Sequence, residues 1–189
     1  MLAFGRVVAA AALLALSGCA TATNWSPEKL AAGTKSDGAG VVLLSAGAPG
    51  SCVAKSTFLK VMADGQRYSA TSLALLPVDS YVARNDFQDH FGAVFALRLP
   101  AGRYYLTTWV ANPYLTIASP PRYDFSVGAG ETVYLGEWRT AATCSGGAAP
   151  VVVNEWERDR GIISQRNPAI DLSNVSQRMA ALSPAGAPE

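Results

Sequence analysis

His90 is the only histidine in the chain, so any Ser-His-Asp hydrolase mechanism would have to use it. Asp86 and Asp89 lie close to it, but no G-x-S-x-G motif is present to position a serine nucleophile. A hydrolase would need His90 in a pocket with a carboxylate and a hydroxyl within hydrogen-bonding distance. Asp86, Asp89 and His90 alone would make a weak metal site. We therefore interpret His90 as a loop or strand-edge residue, and predict no catalytic residue, metal or cofactor.

A second group of candidates is aromatic and crowds the middle of the chain: Tyr104, Tyr105, Trp109, Tyr114, Tyr123, Phe125, Tyr134 and Trp138. We expect most of them to pack in a core. The alternative is a face that binds glycan or peptide, formed by Tyr104, Tyr105, Trp109 and Tyr114. Tyr114 is the best candidate, because it lies in a proline-rich loop and loops on rigid scaffolds carry recognition residues. Tyr104 and Tyr105 are adjacent, so one must point outward from its sheet.

The N-terminus carries an export signal. Arg6 precedes an apolar run from Val7 to Leu16, which is shorter than the roughly 20 residues of a membrane-spanning helix. The run ends in Leu16-Ser17-Gly18-Cys19, which resembles the lipobox of bacterial lipoproteins. The resemblance implies that residues 1–18 are a signal peptide and that Cys19 becomes the acylated N-terminus. The absence of Asp at position 20 resembles the sorting pattern for the outer membrane, with the domain facing the periplasm.

The mature chain would carry no net side-chain charge. Without Arg6, the 15 Lys and Arg residues fall to 14, which equals the 14 Asp and Glu residues. This balance, with no basic stripe, argues against nucleic-acid binding. The remaining cysteines, Cys52 and Cys144, could form a disulfide in an oxidising periplasm or remain two independent thiols.

The elements that would position these residues are mainly β-strands. Alternating apolar residues from Phe91 to Trp138, interrupted by two glycine turns and a proline-rich loop, predict a β-meander. The predicted strands are 41–45, 57–62, 66–69, 72–78, 91–99, 103–110, 123–127, 132–138 and 151–156, with Asp64-Gly65 as a hairpin turn. Acidic residues near its start and Arg166 near its end predict a helix over 157–166, which Asn167-Pro168 would end. We expect a lipidated tether at 19–40, one domain at 41–170 and a disordered tail at 171–189.

Three segments carry a family resemblance. Asp64-Gly65-Gln66, Leu99–Tyr104 and the hairpin from Phe125 to Gly136 resemble small bacterial lipoproteins related to the DUF2846 and carboxypeptidase-regulatory-like group. The resemblance implies an antiparallel transthyretin-like or immunoglobulin-like sandwich of about seven strands with a short C-terminal helix. It transfers no catalytic residues.

These observations predict a lipid-anchored, non-catalytic envelope lipoprotein that binds or scaffolds an envelope protein or glycan. Such a module should have an exposed apolar patch or a long unpaired edge strand. Two alternatives remain open. One is a subunit of an envelope secretion or assembly machine, and the other is a hydrolase that uses His90 on envelope polymers.

Overall fold

The computed structural model of the chain describes residues 38–49, 57–78, 85–110, 120–140 and 150–184. Most of these residues form strands in two sheets, and one short helix follows the eighth strand. The strands are β1 Ala39–Ala48, β2 Thr57–Ala63, β3 Ala74–Pro77, β4 Phe91–Pro100, β5 Gly102–Val110, β6 Arg122–Val127, β7 Thr132–Arg139, β8 Val151–Val153, β9 Val175–Gln177 and β10 Ala181–Ser183, and the helix is α1 Trp156–Arg166. The predicted all-β sandwich with a C-terminal helix is confirmed.

The two sheets have different strand orders. Sheet A runs β4-β1-β7-β8, and β9 pairs with the first half of β7 while β8 pairs with its second half. Sheet B runs β10-β6-β5-β2-β3. The pairs β1–β7 and β7–β9 are parallel, whereas the other described pairs are antiparallel. The predicted antiparallel sandwich therefore contains two parallel ladders at β7.

The predicted β-meander is wrong, because consecutive strands mostly change sheets. β4 and β7 belong to sheet A, whereas β5 and β6 belong to sheet B, so within the predicted meander only β5 and β6 pair as sequence neighbours. The arch from β4 to β5 is fixed by the Tyr104 hydroxyl, which donates to the Pro100 carbonyl at 2.6 Å. Turn residues determine where a chain reverses, but long-range packing decides which sheet the next strand joins.

The main core lies between the sheets. Alternate residues of β1 (Val42, Leu44 and Ala46) and of β4 (Ala93, Phe95 and Leu97) face alternate residues of the strands in sheet B. The opposite residues of β1 and β4 lie on the outer face of sheet A. Both faces of β1 are buried, because α1 covers the outer one.

Helix α1 builds a second core on the outer face of sheet A. Trp156 and Ile163 of the helix pack with Leu43, Val94 and Tyr134 of the strands. The Asn154 side chain accepts a bond from the Trp156 amide at 3.1 Å, and the helix ends at Arg166, as Asn167-Pro168 predicts. No helix in the described ranges has the length and apolar character needed to cross a membrane.

Two other expectations are corrected. The strand predicted at 66–69 is absent, because residues 64–73 form turns and bends that fold over the outer face of sheet B. There Lys60 Nζ donates to the carbonyls of Tyr68 (2.5 Å) and Ala70 (3.2 Å). The predicted tail at 171–189 contains β9 and β10, which pair with β7 and β6 respectively and so link the two sheets. These strands are short and contain few apolar residues, so they show no periodic pattern in the sequence.

Candidate functional site

A bulge in β7 brings two polar side chains onto the outer face of sheet A. The register with β1 shifts between the pairs Leu43–Tyr134 and Ser45–Glu137, and Gly136 has a φ of 91°. Tyr134 and Glu137 consequently share one face although they are three residues apart, while Leu135 points into the main core. Glycine suits this position because its φ lies in the left-handed region.

Glu137 is a fully buried carboxylate with three basic neighbours. His90 Nε2 lies 2.7 Å from its Oε1, while Arg139 and Arg158 donate to its Oε2 at 2.6 Å and 3.0 Å. Burial would raise the pKa of Glu137, but the Arg139 hydrogen bond and the charges of Arg158 and His90 outweigh it. The pKa therefore lies below its usual value, and the site holds an ionised carboxylate.

Asp159 of α1 is the second fully buried carboxylate. The hydroxyls of Ser45 and Tyr134 donate to its Oδ2 at 2.5 Å and 2.7 Å, and Arg158 donates to its Oδ1 at 2.8 Å. Burial raises the pKa of Asp159, although these hydrogen bonds and the Arg158 charge oppose the rise. Burial and the nearby Asp159 charge also raise the pKa of Tyr134. Asp159 thus ties the helix to β1 and β7.

His90 lies between two carboxylates and does not stand alone on the surface. Its Nδ1 is 2.8 Å from Asp89 and its Nε2 is 2.7 Å from Glu137, and its ring stacks on Phe87 at 4.7 Å. The nearby hydroxyl, Ser45, instead bonds Asp159 and Arg158. In this arrangement both ring nitrogens face carboxylates, so neither is placed to take a proton from Ser45.

This network holds α1 and the segment before β4 against sheet A. We call it the charge cluster, and its members are Ser45, His90, Tyr134, Glu137, Arg139, Arg158 and Asp159. Ser45, Glu137 and Asp159 have no solvent exposure, so their polar atoms interact with neighbouring side chains and not with solvent. Sequence reasoning found His90 but missed the two buried acids. The available signals were Glu137 inside an apolar strand and Asp159 in the first turn of a helix.

The three residues that alone would make a weak metal site are divided between two networks. Asp86 accepts a bond from the Val94 amide at 2.9 Å and pairs with Arg166. His90 belongs to the charge cluster, and Asp89 contacts it from the exposed side. Within the described ranges, no group of three or more His, Cys, Asp and Glu side chains is arranged to hold a metal.

The outer face of sheet B carries an apolar row across three strands. Pro77 of β3 is paired with Phe58 of β2, which is paired with Trp109 of β5. The Phe58 and Trp109 rings lie 5.4 Å apart and are tilted by 47°. Leu75, two residues before Pro77 on the same face, is exposed. We call Phe58, Leu75, Pro77 and Trp109 the apolar strip, in which Leu75 is exposed and the other three side chains are half-buried.

The aromatic residues predicted for binding do not share one surface. Tyr104 faces the main core and stacks on Phe125 at 5.5 Å. Tyr105 faces outward, as one of the pair must, but it is fully buried there: its hydroxyl donates to Gln66 O at 2.7 Å, and Arg122 lies over its ring. Trp109 lies in the apolar strip.

The remaining predicted positions, Cys19, Cys52, Tyr114 and Cys144, lie outside the described residues. β5 ends at Val110, so the segment that holds Tyr114 starts two residues after Trp109 of the apolar strip.

Comparisons with protein-family models, curated proteins and solved structures found no match.

Proposed function

We propose that this chain is a lipid-anchored lipoprotein of the outer membrane whose sandwich domain binds another envelope component without catalysing a reaction. The sequence from Leu16 to Cys19 supports the anchor, because it combines an apolar residue, two small residues and a cysteine after a short apolar run. Several acyl chains on Cys19 would hold the domain at the membrane, at about 0.8 kcal/mol per buried CH₂.

The observation that carries the binding role is the apolar strip. Pro77, Phe58 and Trp109 lie in register on the outer face of sheet B, and Leu75 follows on the same face. Leu75 is among the few large apolar side chains that are exposed in the described residues. Flat apolar surfaces that contain Trp and Phe are typical of protein-interaction sites. The strip therefore supports a docking role.

The polar groups beside the strip favour an apolar protein segment over a glycan. Burial lowers the pKa of Lys60, whose amino group already donates to two backbone carbonyls. Thr107, which pairs with Lys60 across the strands, is fully buried. A sugar needs hydrogen-bonding groups beside its stacking platform, whereas an apolar peptide segment gains affinity from burial alone.

The charge cluster supports the non-catalytic part of the proposal. An envelope polymer could not contact Ser45, Glu137 or Asp159 without displacing the helix, because all three are fully buried. The pattern of bonds is that of a structural lock between a helix and a sheet.

The test is a crosslinking pull-down from intact membranes with wild type, Trp109→Ser and the loop variant Tyr114→Ala. Arg160→Ser is the matched control, since Arg160 is exposed on α1, away from sheet B. We expect one defined protein that Trp109→Ser loses and Arg160→Ser keeps, with both variants melting like wild type. A partner that Trp109→Ser retains in full would contradict the proposal, and capture that glycan digestion abolishes would replace the protein partner with a glycan.

A further inference from the structure

A cavity of about 340 Å³ opens where the C-terminal segment crosses from one sheet to the other. β9 pairs with β7 up to Tyr134, and β10 pairs with β6 from Asp124, so Arg178 to Ala180 bridge the gap. We call this cavity the fork pocket. Its lining residues are Arg103, Asp124, Phe125, Ser126, Leu135, Arg178 and Met179. The volume lies in the range of small-molecule sites.

The inner part of the fork pocket is apolar. Leu135 belongs to the main core and Phe125 packs against it, while Met179 packs against the second core under α1. The Phe125 ring is supported by Tyr104, which stacks on it at 5.5 Å. These side chains are anchored, so they offer a preformed contact for one apolar group.

The rim of the fork pocket carries two guanidinium groups with donors to spare. The Arg178 side chain, 50% exposed, donates through one nitrogen to Glu131 at 2.6 Å and to the Ser126 carbonyl at 3.2 Å. The Arg103 side chain, 76% exposed, forms an ion pair with Asp64 at 3.3 Å. A guanidinium has five N–H donors, so both groups can also bind a ligand oxygen.

Asp124 is the one acid among the lining residues, and it already pairs with Arg122. Asp124 Oδ1 accepts a hydrogen bond from Arg122 Nε at 2.6 Å. The balance of free donors at the rim therefore favours an anion, and guanidinium pairs best with the planar fork of a carboxylate.

We propose that the fork pocket binds the carboxylate of a small ligand that carries one apolar group. This chemistry is shared by free N-acylated apolar amino acids and by the C-terminal residue of a peptide. The carboxylate lies at Arg103 and Arg178, and the apolar group contacts Phe125, Leu135 and Met179. The site lies apart from the apolar strip, and the inference does not depend on the proposed function.

The test is methyl NMR of the full chain purified in detergent, labelled at methionine and assigned with Met179→Leu. Met179 reports on the fork pocket, and the buried Met62 of β2 is the internal reference. The probes are N-acetyl-leucine, N-acetyl-leucinamide and a pentapeptide ending in leucine. We expect at least one of the two acids to shift Met179 saturably without moving Met62, and the amide to bind at least about tenfold more weakly.

Variants make the test specific. Arg178→Gln should weaken binding about tenfold, whereas Arg160→Gln on α1, with the same charge change, should leave it unaltered. Ser126→Trp at the exposed rim should block the pocket and abolish the shift. Binding of N-acetyl-leucine alone assigns a free small molecule, and binding of the pentapeptide assigns a peptide C-terminus. The inference is overturned if neither acid shifts Met179, if the amide binds as tightly as the acid, or if Arg178→Gln binds like wild type.

Discussion

The Tyr134 hydroxyl lies 2.7 Å from Asp159 Oδ2, and this bond joins β7 to the buried face of α1. The same carboxylate oxygen accepts the Ser45 hydroxyl at 2.5 Å, so a single acid connects the helix to two central strands of sheet A. Because Asp159 is fully buried, these bonds have no competition from water.

The first prediction follows from this bond. Asp159→Ala should lower the free energy of unfolding by about 3–5 kcal/mol, because it removes the buried carboxylate that accepts from Arg158 and from two hydroxyls. Urea unfolding followed by circular dichroism measures the change. The matched control is Glu157→Ala, which removes an exposed acid from the same turn and should cost less than about 0.5 kcal/mol. If both variants lost the same free energy of unfolding, Asp159 would not be what ties α1 to β1 and β7.

The second prediction concerns pH. The pKa of Glu137 is lowered in the folded state, so its stabilisation is complete above the unfolded pKa of about 4.3 and is lost as the pH falls through the folded pKa. The stability difference between wild type and Glu137→Gln should therefore shrink as the pH falls from 6 to about 3. Urea unfolding across this range measures it.

For Asp159 the stability should change with pH in the opposite direction. Its pKa is raised in the folded state, so the folded protein binds the proton more tightly and wild type gains stability relative to Asp159→Asn as the pH falls. Two differences that change in the same direction would contradict the assigned ionisation of the charge cluster.

The third prediction concerns the bulge that places Glu137. Gly136→Ala should destabilise the fold by about 1–3 kcal/mol, because φ is 91° and a Cβ there would lie 2.6 Å from Met179 Sδ and 2.8 Å from Val153 O. Gly161→Ala is the opposite case, since nothing lies within 4 Å of its Cβ in the middle of α1, and it should stabilise by about 0.5–1 kcal/mol. Thermal melts of the two variants should move in opposite directions, and a Gly136→Ala melt at or above the wild-type temperature would exclude strain at the bulge.

The fourth prediction tests the anchor. Cys19→Ser should abolish incorporation of an alkyne-labelled fatty acid and release the protein from the membrane fraction, because the acylated thiol is lost. In-gel fluorescence after metabolic labelling measures it, with Cys52→Ser as the control that should keep the label. Labelling of Cys19→Ser at the wild-type level would show that the resemblance to a lipobox is misleading.

The sequence predicts the central strand positions well, because alternating apolar residues report directly on half-buried strands. The predicted 103–110, 123–127 and 132–138 differ from β5, β6 and β7 by one residue at an end. The helix is likewise one residue longer than predicted. Sheet membership was not predictable in this way, since the period of β4 is the same whichever sheet it joins.

The candidate sites were only partly predictable, because they too depend on how distant strands pair. Trp109 was identified from its residue type, but its row with Phe58 and Pro77 depends on a register between strands that are distant in sequence. The charge cluster depends on a bulge at Gly136 that displaces the alternation by one residue. Tyr105, which alternation correctly turns outward, is buried by turns that carry no periodic signal.

The most direct test of the binding role is site-specific photocrosslinking in living cells. A photoreactive phenylalanine analogue replaces Leu75 in the apolar strip or, as the control, Leu182 of β10 at the edge of sheet B. The two residues are 38% and 54% exposed, so random collision would favour capture at the control position. If the apolar strip binds a partner, we expect a discrete protein adduct from position 75 that Phe58→Ser abolishes, and none from position 182. Equal capture from both positions, or an adduct at 75 that survives Phe58→Ser, would contradict it.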